Sequence, residues 1–308
     1  MKVLITGISG FVGSNLYPYL TKQNHTVCGV SRKKTPNNKI YSYKECDTIL
    51  FNRQEVIIHL AGKAHDLKKT AKEAEYYKTN TDLTISLYDS FLKSNAKVFV
   101  FLSTVKAVAD KTESIITENT IPNPKTAYGK SKLKAENYIK SKKLPEGKKV
   151  YILRPCMIHG PNNKGNLNLL YSLINKGVPY PLGAYKNTRS FLSVQNLCFI
   201  IQNLIIKLPE SGVYNVADTQ PISTNKLVKI IGQETKTKER ILEIPKPIIM
   251  LFAKIGDVLR LPIDSEKLEK LTETYQISNT KIKKALNLKL PLSTTEGIKI
   301  TIKAFGKN

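Results

Sequence analysis

The chain begins with an apolar run, Val3-Leu4-Ile5. It passes directly into Thr6-Gly7-Ile8-Ser9-Gly10-Phe11-Val12-Gly13-Ser14-Asn15. A short run with β-branched members is what a buried strand needs. Apolar periodicity then continues through Leu20, so the segment reads as strand, tight turn and helix. Gly7 allows the turn. Gly10 lets a pyrophosphate approach the backbone, and Gly13 lets the helix pack close to the strand. The helix N-terminus then offers its free N–H groups and dipole to a phosphate. The first glycine spacing is one residue longer than in the commonest dinucleotide fingerprint, and a glycine turn alone is a weak signal. Its place straight after the first strand gives it weight.

Strand and helix patterns alternate through the first half, which implies a parallel sheet. Strands are expected at 2–6, 26–31, 56–60, 98–103 and 149–154, with helices at 11–22, 73–95 and 126–142. The segment between the second and third strands leaves a helix little room. Gly160-Pro161 ends the alternation, and residues 161–186 read as loop around Asn162-Asn163-Lys164-Gly165-Asn166. Arg189–Val194 and Val213–Ala217 look like returns to the sheet, separated by a helix from Gln195 to about Lys207. From about residue 220 the chain reads as mostly helical, and no internal repeat is present. The fold class is therefore α/β: a doubly wound parallel sheet with a smaller, mostly helical C-terminal lobe.

Tyr128 and Lys132 lie four residues apart in Ala127-Tyr128-Gly129-Lys130-Ser131-Lys132, within the third expected helix. Positions i and i+4 share one helix face, so the ammonium can lie beside the phenol. A nearby cation lowers a tyrosine pKa from about 10 toward the neutral range. A tyrosine tuned in this way can move a proton to or from a carbinol. Such a pair also occurs on ordinary solvated helix faces, and only its company distinguishes it. Thr104 follows Val98-Phe99-Val100-Phe101-Leu102-Ser103, at the C-terminal end of a strand, where open α/β sheets place their sites. Its hydroxyl could exchange hydrogen bonds with the oxygen that Tyr128 addresses. A threonine that merely ends a strand is the simpler alternative.

Several further segments bear on family. With the glycine loop, they are His59-Leu60-Ala61-Gly62, Asn80, Leu102-Ser103-Thr104, and Tyr128 with Lys132. Downstream come Leu153-Arg154-Pro155, Gly160-Pro161, Arg189-Ser190-Phe191 and Tyr214-Asn215-Val216. In this order the chain resembles the extended short-chain dehydrogenase/reductases that act on nucleotide sugars, closest to the UDP-sugar 4-epimerases. The resemblance runs over roughly residues 2 to 300. It implies a Rossmann domain over 1–160, with returning segments at about 189–218. A nucleotide-sugar lobe would take 161–188 and 219–308. It implies a bound NAD(P) contacted by Gly7, Gly10, Phe11, Val12, Gly13, Ser31, Arg32, Leu60, Ala61, Gly62, Asn80, Tyr128, Lys132 and Pro155. Catalysis would fall to Tyr128, Lys132 and Thr104, with Lys132 also reaching the nicotinamide ribose. Substrate would meet Thr104, Lys106, Asn166 and Arg189. The family also implies a homodimer.

Two departures bear on the reaction. Where UDP-galactose epimerases usually end the second strand with an acidic residue, this chain has Val27-Cys28-Gly29-Val30 and then Ser31-Arg32-Lys33-Lys34. No carboxylate is present to bind a 2′-hydroxyl or repel a 2′-phosphate, and Ser31 and Arg32 suit a 2′-phosphate. NADP(H) is therefore favoured over NAD(H), although the basic turn also reads as solvated surface. Met157 replaces the asparagine common three residues after the arginine equivalent to Arg154. Val105 and Lys106 replace the Asp-Glu pair that sugar-nucleotide 4,6-dehydratases need for C5 proton removal, which excludes dehydration. The expected reaction is hydride transfer at C4 of a UDP-hexose or UDP-N-acetylhexosamine derivative. Its outcome is net reduction of a 4-ketosugar or epimerisation through a transient 4-keto intermediate, for surface polysaccharide synthesis. The alternatives are a UDP-glucose or UDP-N-acetylglucosamine 4-epimerase proper, and a non-catalytic cofactor-binding scaffold, for example on RNA.

Composition narrows the rest. No run of about 18 apolar residues exists, so no membrane span is expected. An N-terminus that is already a strand and a nucleotide loop does not read as a signal peptide. Cys28, Cys46, Cys156 and Cys198 lack paired spacing and read as free thiols, with no metal site, in a cytoplasmic protein. His59 reads as a core partner. His65 and His159 lie near the expected cleft, and Cys156 reads as packing. The net charge of +25 is spread along the 308 residues. It fits a lysine-rich bias, attraction of anionic substrates, or weak association with an anionic membrane. No aromatic-interleaved basic stretch points to nucleic acid. Pro245 to Pro262 alternates apolar residues (Ile248-Ile249-Met250-Leu251-Phe252) with Lys254 and Arg260. It is expected to be a helix packed on the core rather than an interfacial anchor.

Overall fold

The apolar runs of the first half become the strands they encode. The computed structural model describes residues 1–32, 40–64, 72–112, 114–163, 166–259 and 264–306. Strand β1 (Lys2–Thr6) enters α1 (Phe11–Lys22) through the glycine turn. Then come β2 (Thr26–Val30), β3 (Ile40–Tyr41), α2 (Thr48–Asn52), β4 (Val56–His59), α3 (Glu73–Tyr77), α4 (Leu83–Lys93) and β5 (Val98–Leu102). Next are α5 (Ala127–Ser141), β6 (Lys149–Pro155), β7 (Met157–His159), α6 (Asn166–Asn175), β8 (Thr188–Arg189), β9 (Phe191–Ser193) and α7 (Val194–Lys207). The chain continues with β10 (Gly212–Val216), β11 (Ile222–Ser223) and α8 (Thr224–Thr235). It closes with α9 (Lys246–Leu259), α10 (Ser265–Thr272), α11 (Thr280–Leu286) and α12 (Thr294–Phe305).

Seven strands form one parallel sheet in the order β10-β6-β5-β4-β1-β2-β3. Helices cover both faces, so β4 and β5 are buried at every residue and read as unbroken apolar runs. Alternate residues serve opposite faces. Val3, Ile5, Val98 and Val100 pack with Leu16 of α1 and Leu197 of α7. Leu4, Phe99 and Phe101 pack with Tyr88 and Phe91 of α4 and Ile139 of α5. A third apolar cluster joins Leu167 and Ile174 of α6, Val228 and Ile231 of α8, and Ile298 and Ile302 of α12. Strand order reverses between β1 and β4. Register aligns Thr6 with His59, His59 with Phe101, and Leu102 with Leu153, which sets the C-terminal strand ends along one edge. A crevice opens at such a switch point.

Two expectations are corrected. Arg189–Val194 does not rejoin the large sheet: β8 pairs with β11 and β9 with β7 in separate two-stranded ribbons. The open edge of β6 is taken by β10, which leaves no vacancy there. The stretch after Gly160 is not all loop. Leu167, Leu170, Tyr171 and Ile174 recur at helical spacing and anchor α6, a signal masked by the asparagines before it. Helix α9 forms but buries only Ile249 and Ala253 among its large or apolar described side chains.

Candidate active site

Two glycines shape the phosphate end of the crevice. Gly7 holds φ at +72°, and a Cβ there would lie 2.8 Å from the Ala61 nitrogen. A Cβ on Gly13 would strike the Gly7 carbonyl and sit 2.6 Å from the Ile8 oxygen. The helix α1 therefore approaches β1 as closely as backbone allows. Gly10 is its N-cap and has no side chain to cap it, so the first N–H groups of α1 face the cleft without intrahelical acceptors.

The C-terminal end of β5 delivers Thr104. It caps a short 3₁₀ turn, Val105–Ala107, accepting a hydrogen bond from the Lys106 nitrogen at 3.2 Å. A side-chain hydrogen bond also links it to Tyr128. Tyr128 stands on the first turn of α5, which Thr126 caps by accepting from the Gly129 nitrogen at 3.2 Å. Lys132 lies one turn on, buried, and Glu136 one turn further.

The expected pairing of phenol and ammonium is corrected. Lys132 Nζ donates to the Leu102 carbonyl at 2.9 Å and sits 4.7 Å from the Phe101 ring centroid. Burial pushes its pKa down to about 8, with the Glu136 carboxylate opposing the fall. The Tyr128 phenol is held above its ordinary value by burial, a shift that the Thr104 hydrogen bond partly offsets. Spacing along a helix carries no information on desolvation, which here is the largest influence on the phenol. The phenol is consequently protonated at neutral pH.

Beneath this pair lies a buried network. Arg154 of β6 donates to both carboxylate oxygens of Glu136, at 2.6 Å through its terminal nitrogen and 3.1 Å through Nε. Ser103 donates to the same carboxylate. Asn80 lies in a π-helical turn, Lys78–Asp82, between α3 and α4. Its amide donates to the Lys63 carbonyl at 3.1 Å and to Ser131 at 3.0 Å, and its oxygen accepts from the Lys63 nitrogen at 2.7 Å. Asn80 therefore ties the segment after β4 to α5.

These elements enclose a cleft of about 1060 Å³. Of the expected residues it is lined by Gly7, Gly10, Phe11, Val12, Gly13, Leu60, Gly62, Thr104, Lys106, Tyr128, Lys132, Pro155 and Arg189. Ser31, Arg32, Ala61 and Asn80 are not among its lining residues. Ser31 is buried with its hydroxyl 3.2 Å from that of Ser9, which does line the cleft, and Arg32 beside it is exposed. Asn166 opens α6, and its side chain lies outside the described residues, as does His65. His159 is not in the cleft. It is buried against Thr301, with its ring nitrogen 2.9 Å from that hydroxyl, and helps to seat α12. His59 is a core residue bound to Thr6 and Thr84, and burial pushes its pKa down to about 3.

The far wall carries residues that sequence reasoning missed. Glu273 and Tyr275 line the cleft from the segment after α10. Arg189 donates to the Glu273 carbonyl at 3.1 Å and lies 3.5 Å from its carboxylate. The Lys106 ammonium donates to the Asp110 carbonyl at 2.6 Å and sits 4.3 Å from the Tyr275 ring centroid. Nothing in the sequence around Glu273 and Tyr275 signals these contacts, since both are made across more than 80 residues. Cys156 also lines the cleft, but burial holds its thiol well above its usual pKa.

Comparison with known proteins bears on the family and the fold. Residues 3–217 match the model of the NAD dependent epimerase/dehydratase family. A UDP-glucose 4-epimerase of Vibrio cholerae is 30% identical over 99% of this chain and 95% of its own. An N-acetyl-alpha-D-glucosaminyl-diphospho-ditrans,octacis-undecaprenol 4-epimerase of Escherichia coli O157:H7 is 26% identical over 98% of this chain and 94% of its own. In fold, the chain superposes on the crystal structure of UDP-N-acetylglucosamine 4-epimerase from Bacillus cereus with a TM-score of 0.79. That match has 19% identity and covers 99% of each chain.

Proposed function

The chain belongs to the NAD dependent epimerase/dehydratase family, and on that premise we propose that it exchanges a hydride at C4 of a UDP-linked hexose or N-acetylhexosamine. The observation that carries this is the convergence of Tyr128, Thr104 and Lys132 on one cleft, between the glycine turn and Arg189.

The residues fit a dinucleotide. The turn that Gly7 and Gly13 keep free of Cβ atoms leaves the α1 N-terminus open to a pyrophosphate. At Gly62 a Cβ would lie 3.0 Å from Lys132 Nζ, so the backbone there can border a ligand that the ammonium also reaches. The nicotinamide group, when bound, supplies the hydride. The protein's part is to move the proton. Tyr128, protonated at neutral pH, donates to the C4 oxygen as a 4-ketosugar is reduced and takes the proton back in the reverse direction. Thr104 holds that oxygen within reach of the phenol. Lys132 places a positive charge at the floor of the cleft, where it favours the phenolate and so eases loss of the phenolic proton in the reverse direction. Arg189, steadied by Glu273, meets the substrate diphosphate with a planar fork.

We assign residues 1–160 and about 189–218 to the cofactor half, and 161–188 and 219–308 to the sugar lobe. The separate apolar cluster of α6, α8, α9 and α12 supports a distinct lobe, although Ile282, Leu286 and Leu290 pack with the cofactor half. A specific observation favours net reduction with NADPH as a second reading: β2 ends at Val30 and is followed by Ser31-Arg32, where a carboxylate would have refused a 2′-phosphate. A panel of UDP-sugars and UDP-4-ketosugars, followed by NADPH absorbance and by NMR of the product, tests both outcomes. Turnover of none of them overturns the assignment. Homodimer formation is part of the proposal and is checked by light scattering.

A further inference from the structure

Helix α9 carries two apolar stripes, and only one is used. Ile249 and Ala253 are 8% and 1% exposed and seat the helix on the C-terminal cluster. Ile248, Leu251, Phe252, Ile255 and Leu259 are 45%, 59%, 63%, 40% and 63% exposed. Their spacing of 3, 1, 3 and 4 residues places them along one side of an α-helix, within an arc of roughly 100°. Scattered surface apolar residues are ordinary, but five large ones in register along about three turns form a continuous face. Leu271 of α10, 44% exposed, lies on the helix that packs beside it.

We infer that this face is the seat of an anionic lipid bilayer. Charge selects that occupant. Between Lys226 and Asp257 the chain has seven cations (Lys226, Lys229, Lys236, Lys238, Arg240, Lys246, Lys254) and four carboxylates, within a protein of net charge +25. Two copies meeting at this face would bring like charges together, so the proposed homodimer is assigned to another face, whereas anionic headgroups are attracted over about a Debye length. The other requirement of an interfacial helix is an apolar side that can sink to the acyl boundary, and the stripe provides it. No helix among the described residues is long and apolar enough to cross a membrane, so the mode is attachment to the surface.

The seat adjoins the cleft. Helix α10 follows α9, is tied by Glu269 to Lys111, and leads directly to Glu273 and Tyr275 on the cleft wall. Attachment through α9 would therefore hold the substrate lobe near a bilayer. This inference stands independently of the proposed reaction.

Flotation of the full chain with vesicles of phosphatidylcholine alone, or with about a third phosphatidylglycerol, tests it. The wild type is expected to float with the anionic vesicles and not with the neutral ones. Phe252→Glu should lower the bound fraction about ten-fold or more, since it removes one large side chain that the bilayer would bury and adds a repelled charge. The milder pair Leu251→Ser and Ile255→Ser should fall between. Thermal unfolding midpoints of the three proteins should agree, which separates loss of the seat from loss of the fold. Three results would overturn the inference. One is no flotation of the wild type. Another is equal flotation of Phe252→Glu, which would reduce binding to charge alone. The third is a wild-type dimer that Phe252→Glu dissociates, which would give the stripe to a second copy.

Discussion

The two walls of the cleft are built by different means. The cofactor wall rests on backbone. Strand ends in register, a glycine turn and helix N-termini fix its shape, and its side chains come from segments that follow their strands directly. The sugar wall rests on long-range side-chain contacts: Arg189 with Glu273, Lys106 with Tyr275, and Tyr275 with the Ala109 carbonyl at 2.6 Å. A wall of the first kind is hard to alter without unfolding the sheet. A wall of the second kind can change its residues while the sheet stands. Chemistry is thus expected to reside in the first wall and choice of sugar in the second.

The largest effect expected from this contrast is at Tyr128. Tyr128→Phe keeps the ring and removes the proton carrier, so kcat should fall by about 10² to 10⁴ with cofactor affinity unchanged. Thr104→Val should cost less, since it takes away a hydrogen bond and no proton transfer. Steady-state kinetics with fluorescence titration of NAD(P)H checks both. Near-normal turnover by Tyr128→Phe would move the chemistry elsewhere.

Next comes the support under the first wall. Arg154→Ala strands the buried Glu136 carboxylate, which should destabilise the fold by about 3–5 kcal/mol in urea titration. At the second wall the same kind of change should leave stability near that of the wild type. Arg189→Ala should instead raise KM for the nucleotide sugar about ten- to a hundred-fold, with little change for cofactor. Equal effects on both ligands, or a large loss of stability at Arg189, would erase the distinction between the walls.

Much of the first wall was legible because each of its signals is local. The strand and glycine turn, Thr104 after an apolar run, and Tyr128 with Lys132 on one helix face all lie within a few residues of each other. The parallel sheet followed from the same alternation, but its strand order did not. What the sequence concealed depended on burial or on distance along the chain. Tyr128 and Lys132 share a face as their spacing requires, yet desolvation and the Leu102 carbonyl reverse the expected effect on the phenol. Glu273 and Tyr275 sit in no motif, and the helix at Asn166–Asn175 hid behind asparagines. The free stripe of α9 could not be told from a core stripe, since periodicity shows that a face is apolar but not what covers it.

Smaller effects sharpen the contrast further. Arg32 is exposed, so solvent screening keeps its contribution to a 2′-phosphate at the low end. Arg32→Ala should reduce any preference for NADP(H) by about ten-fold, measured as the ratio of kcat/KM for the two cofactors. No change in that ratio would make Arg32 a surface residue only. The smallest effect expected is a pH slope at Lys132. Its folded pKa of about 8 lies below the usual 10.5, so above pH 8 the unfolded chain holds a proton that the native state has released. Stability of the wild type should therefore rise relative to Lys132→Met as pH climbs from 8 to 9.5. Parallel urea midpoints for the two proteins would contradict the depressed value.

The central claim is that a hydride, not a proton, is exchanged at C4, with Tyr128 moving only the oxygen-bound proton. NMR of UDP-sugars and UDP-4-ketosugars turned over in D₂O tests it most directly. The account predicts inversion or reduction at C4 with the new carbon-bound hydrogen remaining protium, since it does not come from solvent. Deuterium on C4, or a C4 centre left unchanged in every substrate, would contradict it.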